Sequence, residues 1–275
     1  MDLHTITTVR RPRCPEEVET WADGHAWLAG GTWLFSEPQV HTDTLIDLEG
    51  FGWQPLQVTP EGLKIAATCR VVQLDQFQAP PEWSAAPLIP ICCRSFLASY
   101  KIWNEATVGG NLAMSLPAGP MIALTAALEG TCTLWSRDGA KRHVPVAQFV
   151  TGDNQNILQP GELLRSVFLP QAALEKTFAF RRFTLTHQGR SEALLIGTRD
   201  PGDGEILLTV TAATLRPYQF RFAAGVTSAQ VRGALDAAIA DDMYLDDTHG
   251  SPRHRKHLTY LFAEQIRAEL SGEHS

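Results

Sequence analysis

The sequence predicts an α+β protein, and three observations carry that reading. Short apolar runs of strand length, bounded by glycine and proline, recur from the N-terminus to Pro170. Beyond Pro170 the pattern changes to strand-like runs followed by two helices with apolar residues at helical spacing. Two Gly-Gly pairs, at 30–31 and 109–110, each follow apolar residues and precede a small polar one.

In chain order, residues 5–9 read as a strand and Pro15 opens a short helix. His25-Ala26-Trp27-Leu28 is an apolar strand that runs into Gly30-Gly31, and 44–48 is another, stopped by Gly50 and Gly52. A strand over 63–67 begins the second segment, and a helix is expected over 89–99. Pro120 suits the first turn of a helix, because its φ is locked and its missing donor is not needed there. Residues 121–128 are apolar on most faces, so that helix is expected to be buried. Strands follow at 131–135, 142–146 and 163–169, the last after the turn Gln159-Pro160-Gly161. The third segment has strand-like runs at 178–183, 193–197, 206–215 and 220–223, with a hairpin turn at Pro201-Gly202-Asp203-Gly204. Its first helix opens at Thr227 or Ser228. The second opens at Ser251-Pro252 and carries Leu258, Leu261, Phe262 and Ile266 on one face.

Composition excludes several functions. A chain of 275 residues, 44% hydrophobic and 19% charged, is long enough to bury a core without disulfide or metal staples. A formal net charge of -7 argues against a general nucleic-acid surface. No run approaches the ~20 apolar residues of a membrane span, and Met1-Asp2-Leu3-His4 lacks the basic start of a signal peptide, so a cytoplasmic location is expected. Cys14, Cys69, Cys92, Cys93 and Cys132 contain no Cys-x-x-Cys and read as free core thiols rather than a disulfide framework or a metal cage.

The glycine pairs are the chemically suggestive feature. Leu28-Ala29-Gly30-Gly31-Thr32-Trp33-Leu34 and Val108-Gly109-Gly110-Asn111-Leu112 share one pattern. Glycine lets backbone N–H groups approach an anion closely and adopt φ > 0, while Thr32 or Asn111 adds a polar contact. One pair alone is well explained as a tight turn. Two pairs of one pattern suggest a clamp on a diphosphate, and neither fits G-x-G-x-x-G or the Walker lysine pattern.

At these residues the sequence resembles the FAD-binding medium subunit of the molybdenum hydroxylases, the family of xanthine dehydrogenase and carbon monoxide dehydrogenase. Leu28-Ala29-Gly30-Gly31-Thr32 resembles its first phosphate loop, and Asn104-Glu105-Ala106-Thr107-Val108-Gly109-Gly110-Asn111-Leu112-Ala113 its second. The likeness continues collinearly through Leu116-Pro117-Ala118-Gly119, Pro160-Gly161-Glu162-Leu163-Leu164 and Leu169-Pro170 to Ser251-Pro252-Arg253-His254-Arg255. It implies a PCMH-type, vanillyl-alcohol-oxidase-like FAD-binding fold of two α+β subdomains, over 1–57 and 58–172. Over 173–275 it implies a C-terminal α+β domain of the carbon monoxide dehydrogenase flavoprotein type, with a three-stranded antiparallel sheet and helices.

The same resemblance implies non-covalent FAD. Leu28, Ala29, Gly30, Gly31, Thr32, Trp33, Leu34 and Phe35, with Thr107, Val108, Gly109, Gly110 and Asn111, would hold the pyrophosphate and ribityl chain. Leu97 and Leu164 would line the flavin or adenine pocket. No catalytic acid or base and no metal ligand is expected, because the isoalloxazine carries the electrons. The implied function is an electron-transfer flavoprotein subunit of an oxidoreductase, passing electrons from iron–sulfur clusters of a partner to NAD⁺ or another acceptor. Its implied partners are a molybdopterin-binding large subunit and a 2Fe–2S small subunit, with the substrate chosen outside this chain.

Some positions depart from the family. Pro120 stands where the family usually has an aspartate that bonds the flavin's sugar chain, and Ser99 and Trp103 stand where Gly and Arg are common. Losing one buried hydrogen bond to a ligand costs on the order of 1 to 3 kcal/mol, or roughly tenfold to a hundredfold in affinity. These departures motivate an alternative: a non-catalytic relative that has lost FAD and serves as an assembly or interaction module. In Phe180-Arg181-Arg182-Phe183 an arginine is placed to meet a phosphate or a reduced flavin, against the plainer reading of a solvated strand edge. His254-Arg255-Lys256-His257 reads as a solvated helix face. Ser191-Glu192 and His187 lack a Gly-x-Ser-x-Gly elbow and are assigned no hydrolytic role.

Overall fold

The computed structural model describes residues 3–273 except 19, 97, 187 and 188. The first sheet is parallel: β1 (Thr8–Arg10), β2 (His25–Leu28) and β3 (Thr44–Asp47), in the order β1-β3-β2. Strand β3 is central, so Leu45 and Ile46 are buried while the edge strands stay half-exposed. Leu28 pairs with Asp47 at the end of this ladder, and the chain leaves it directly into Gly30-Gly31.

Strands β4 (Leu56–Thr59) and β5 (Gly62–Ala66) start an antiparallel sheet and lead into helices α1 (Val71–Asp75), α2 (Leu88–Arg94), α3 (Tyr100–Glu105), α4 (Val108–Met114) and α5 (Pro120–Ala127). The chain returns through β6 (Thr131–Trp135), β7 (Lys141–Pro145), α6 (Val146–Phe149), the short ribbon β8 (Val150–Gly152) and β9 (Gln155–Asn156), and β10 (Leu163–Pro170). The five-stranded order is β4-β5-β10-β6-β7, which puts β10 at the centre. After α7 (Gln171–Leu174), β11 (Thr177–Phe183), β12 (Ala193–Arg199), β13 (Ile206–Thr211) and β14 (Tyr218–Phe222) form a four-stranded antiparallel meander, followed by α8 (Ser228–Ala238) and α9 (Pro252–Leu270).

Two cores result. One lies between the five-stranded sheet and its helices, and it reaches Leu194, Ile196 and Ala212 of the four-stranded region. The other lies between the meander and α8 and α9. Helix α5 touches both β12 and β13 from one side while α9 covers them from the other, so β12 is buried almost throughout its length. Every residue of α5 is buried, as its uninterrupted apolar sequence implies.

The elements differ from expectation in physically simple ways. The helix expected over 89–99 is two helices: α2 ends at Arg94, and Ser99 caps α3 by accepting from the Ile102 N–H. The strand expected over 206–215 stops at Thr211, because Ala212 takes a left-handed φ of 64°. The C-terminal sheet has four strands rather than three. The two C-terminal helices start where their caps predict, with a reciprocal Thr227/Gln230 capping box on α8 and the Ser251 hydroxyl accepting from the His254 N–H on α9. Cys69, Cys92, Cys93 and Cys132 are buried and unpaired, and Cys14 is half-buried and unpaired. No helix among the described residues is long and apolar enough to cross a membrane.

Candidate functional site

A cavity of about 600 Å³ opens where the loop after β2, the first turns of α4 and α5, and the start of β10 converge. It contains Leu28, Ala29, Gly30, Gly31, Thr32, Trp33 and Leu34 from the first glycine segment, Thr107, Gly109, Gly110 and Asn111 from the second, and Leu164. Phe35 stands behind the wall, with its ring packed on Gly31. Val108 points into the core, and Leu97 lies outside the described residues. Segments more than 70 residues apart in sequence therefore meet at one site.

The first segment is a true turn. Gly31 takes φ 66°, and a Cβ there would stand 2.6 Å from the Phe35 ring. Phe35 N–H donates to Gly31 O and Ser36 N–H to Trp33 O, both at 2.8 Å. The N–H groups of Gly30, Gly31, Thr32 and Trp33 find no acceptor among the described residues. Four consecutive backbone donors thus stand without partners among the described residues in the wall of a cavity, the chemistry that suits an anion.

The second segment is not a turn, and its amides do not join the first set. It is the N-terminus of α4, capped by Thr107, whose Oγ1 accepts from Gly110 N–H at 3.0 Å. Val108 N–H donates to Cys69 O, Gly109 N–H to Ala67 O and Asn111 N–H to Thr107 O. Gly109 is required because the helix lies against β5's end: a Cβ would stand 2.3 Å from Ala67 Cβ. What this segment offers a ligand is the Asn111 side chain. Its Oδ1 accepts from Met121 N–H at 3.1 Å and so caps α5, while the residue lines the cavity and its amide nitrogen has no partner among the described residues.

Pro120 sits at the first position of α5 and contributes apolar wall. Trp103 is not in the site; its Nε1–H donates to Cys93 O at 3.2 Å and its ring packs on the core. Trp27 also lines the cavity, anchored by Nε1–H donating to Glu162 O at 3.2 Å. Burial pushes the Glu162 carboxyl up, but the Arg142 guanidinium, bonded through two nitrogens at 2.6 Å, and the Gln159 N–H outweigh it and hold the carboxyl below its usual range.

The remaining wall is apolar, with two titratable side chains, Arg190 and His249, reaching it from the C-terminal region. Nothing in residue spacing singled them out. The arginines that spacing did single out face elsewhere: Arg181 donates to Gln265 and Glu269 on α9, and Arg182 to Gly189 O and Ser191 Oγ. The run 254–257 is no solvated face. Arg255 is 1% exposed and donates to Asp247, Glu192 O, Ala212 O and Gly250 O, while His254 meets the buried Glu192 carboxylate at 2.5 Å. His187 lies outside the described residues. Among the described residues no cluster of His, Cys, Asp and Glu is arranged to hold a metal.

Residues 15–172 match the family described as the FAD binding domain in molybdopterin dehydrogenase. The chain belongs to that family. This FAD-binding chain is 22% identical over 262 residues to the carbon monoxide dehydrogenase medium chain of Hydrogenophaga pseudoflava, covering 91% of this chain and 87% of the relative. It is 31% identical over 135 residues to caffeine dehydrogenase subunit beta of Pseudomonas sp. (strain CBB1), covering 48% and 44%. Its fold is shared with quinoline 2-oxidoreductase from Pseudomonas putida 86, at TM-score 0.77 and 20% identity over 97% of each chain. It is shared equally with the carbon monoxide dehydrogenase of Hydrogenophaga pseudoflava, at TM-score 0.80 and 18% identity over 98% and 99%. FAD suits the cavity: its pyrophosphate matches the free amides at 30–33, and its rings match the apolar remainder.

Proposed function

We propose that this chain is the FAD-carrying electron-transfer subunit of a molybdenum-hydroxylase-type oxidoreductase, taking electrons from iron–sulfur clusters of a partner subunit and delivering them to NAD⁺ or another acceptor. The observation that carries the reading is the row of four unpartnered N–H groups at 30–33 in the wall of an otherwise apolar cavity. Bound flavin supplies the electron chemistry. The chain's residues bind and orient: the amides of Gly30, Gly31, Thr32 and Trp33 and the Asn111 amide hold the polar middle of the ligand. Leu28, Leu34 and Leu164 cover its apolar ends and exclude water. Residues 1–57 and 58–172 are the two halves of the flavin unit, and 173–275 the C-terminal unit that closes it.

The partners are a molybdopterin-binding large subunit and a 2Fe–2S small subunit, in the cytoplasm. The relatives are named for carbon monoxide, caffeine and quinoline, a diatomic gas beside two bicyclic nitrogen heterocycles. Such variety above one shared fold fits a substrate chosen on another subunit. Trp103, which favoured a relative without FAD, loses that weight because it is outside the cavity, whereas Pro120 lines the wall with no side-chain acceptor to offer. The test is the visible spectrum of the purified protein, with release and identification of any nucleotide. A flavin spectrum and FAD near one per chain is the expected result; colourless protein that added FAD does not thermally stabilise sinks the proposal.

A further inference from the structure

Arg190 is the one guanidinium in the cavity wall among the described residues, and it makes no hydrogen bond or ion pair with them. Its position is nevertheless built. Arg182 donates through Nη2 to Gly189 O at 2.7 Å and through Nε to Ser191 Oγ at 2.8 Å, so the residues on both sides of Arg190 are held by one side chain. Glu192 N–H closes the loop on Phe183 O at 2.9 Å. The other titratable wall residue, His249, is held through its backbone, whose N–H donates to Asp247 Oδ1 at 2.8 Å. Among the described residues Arg190 is the one permanent cation in the cavity wall.

A half-buried cation without a partner in apolar surroundings is costly unless a ligand supplies the opposite charge. FAD has two places for such charge: its pyrophosphate, and the isoalloxazine when it takes up electrons. The pyrophosphate is served by the amides at 30–33, on a different part of the chain. We infer that Arg190 faces the negative charge that a bound flavin gains on reduction, and so makes this chain hold reduced flavin more tightly than oxidised flavin. Arg182 is then a positioning residue that acts through Arg190. The inference rests on the FAD reading above and adds to it a residue that sets the redox potential.

The experiment is anaerobic spectroelectrochemistry of the FAD-loaded protein, alongside titration of oxidised FAD into the stripped protein. For Arg190→Met the expected result is unchanged affinity for oxidised FAD and affinity for reduced flavin lower on the order of tenfold, a fall of about 30 mV in the two-electron midpoint. Arg190→Lys retains most of the potential. Arg182→Ala lowers it in the same direction and adds little in the double variant with Arg190→Met. An unchanged midpoint in Arg190→Met overturns the inference. Equal loss of oxidised and reduced affinity overturns it too, and reassigns Arg190 to the pyrophosphate. Wild-type protein that takes up no FAD removes the flavin reading itself, an outcome read before any variant is made.

Discussion

Gly30 lies directly against the carbonyl oxygen of Glu105, so closely that a Cβ on Gly30 would stand 1.8 Å from it. This contact ties the free-amide turn to the end of α3, one residue before the strand-like approach to α4, and it sets the distance between the two glycine segments. Gly30→Ala must push the turn away from α3 and re-aim the amides at 30–33. FAD affinity is expected to fall at least tenfold, or about 1.4 kcal/mol. Titration of stripped protein with FAD measures it, and affinity equal to wild type would show that the turn does not hold the ligand.

Gly109 answers to packing instead. A Cβ would meet Ala67 Cβ at 2.3 Å inside the core, so Gly109→Ala is expected to cost about 3 kcal/mol of stability by forcing α4 off β5. Gly233, in the exposed middle of α8 with nothing within 4 Å, provides the contrast. Gly233→Ala is expected to stabilise the protein by about 0.8 kcal/mol, since alanine loses less backbone freedom in a helix. Thermal or urea unfolding of the two variants should move in opposite directions.

How much of this was written in the residues varies by segment, for physical reasons. The 30–31 turn, the buried α5 and the caps at Thr227 and Ser251 were legible because each rests on local rules of dihedral, donor and period. The helical state of 108–114 was not, because two glycines oppose helix formation and only contacts with Ala67 and Cys69, some 40 residues earlier, override them. Arg255 in a charged run reads as exposed; its burial depends on Glu192 and Ala212, which flank β12 and β13, and on Asp247 in the segment before α9. Arg190 had no signal of spacing at all, because it reaches the cavity from a loop.

Asn111 joins the two functions of its segment. Its Oδ1 caps α5 at Met121, its nitrogen has no partner among the described residues, and the residue lines the cavity. Asn111→Ala is expected to lower stability by about 1 kcal/mol, the usual effect of removing a helix cap, and to weaken FAD binding roughly tenfold. Loss of stability with FAD affinity intact would restrict Asn111 to the cap.

Glu162 makes the wall of the site sensitive to acid. Its carboxylate is 6% exposed and bonded by Arg142, and its backbone carbonyl anchors Trp27 of the cavity. Because the folded carboxyl lies below its usual range, the pair stabilises the protein above the unfolded pKa of about 4.3 and ceases to do so as the pH falls through the lower folded value. Arg142 is 40% exposed, so solvent screening limits the contribution to about 1 kcal/mol. Glu162→Gln is therefore expected to unfold at lower temperature than wild type at pH 7. The gap should narrow below about pH 4.3, where the unfolded chain takes up the proton first, and close as the pH falls through the lower folded value, where folded Glu162 too matches the amide in charge. Melting curves of both proteins across that range measure it, and a gap that stays constant with pH would assign the effect to packing rather than to the charge.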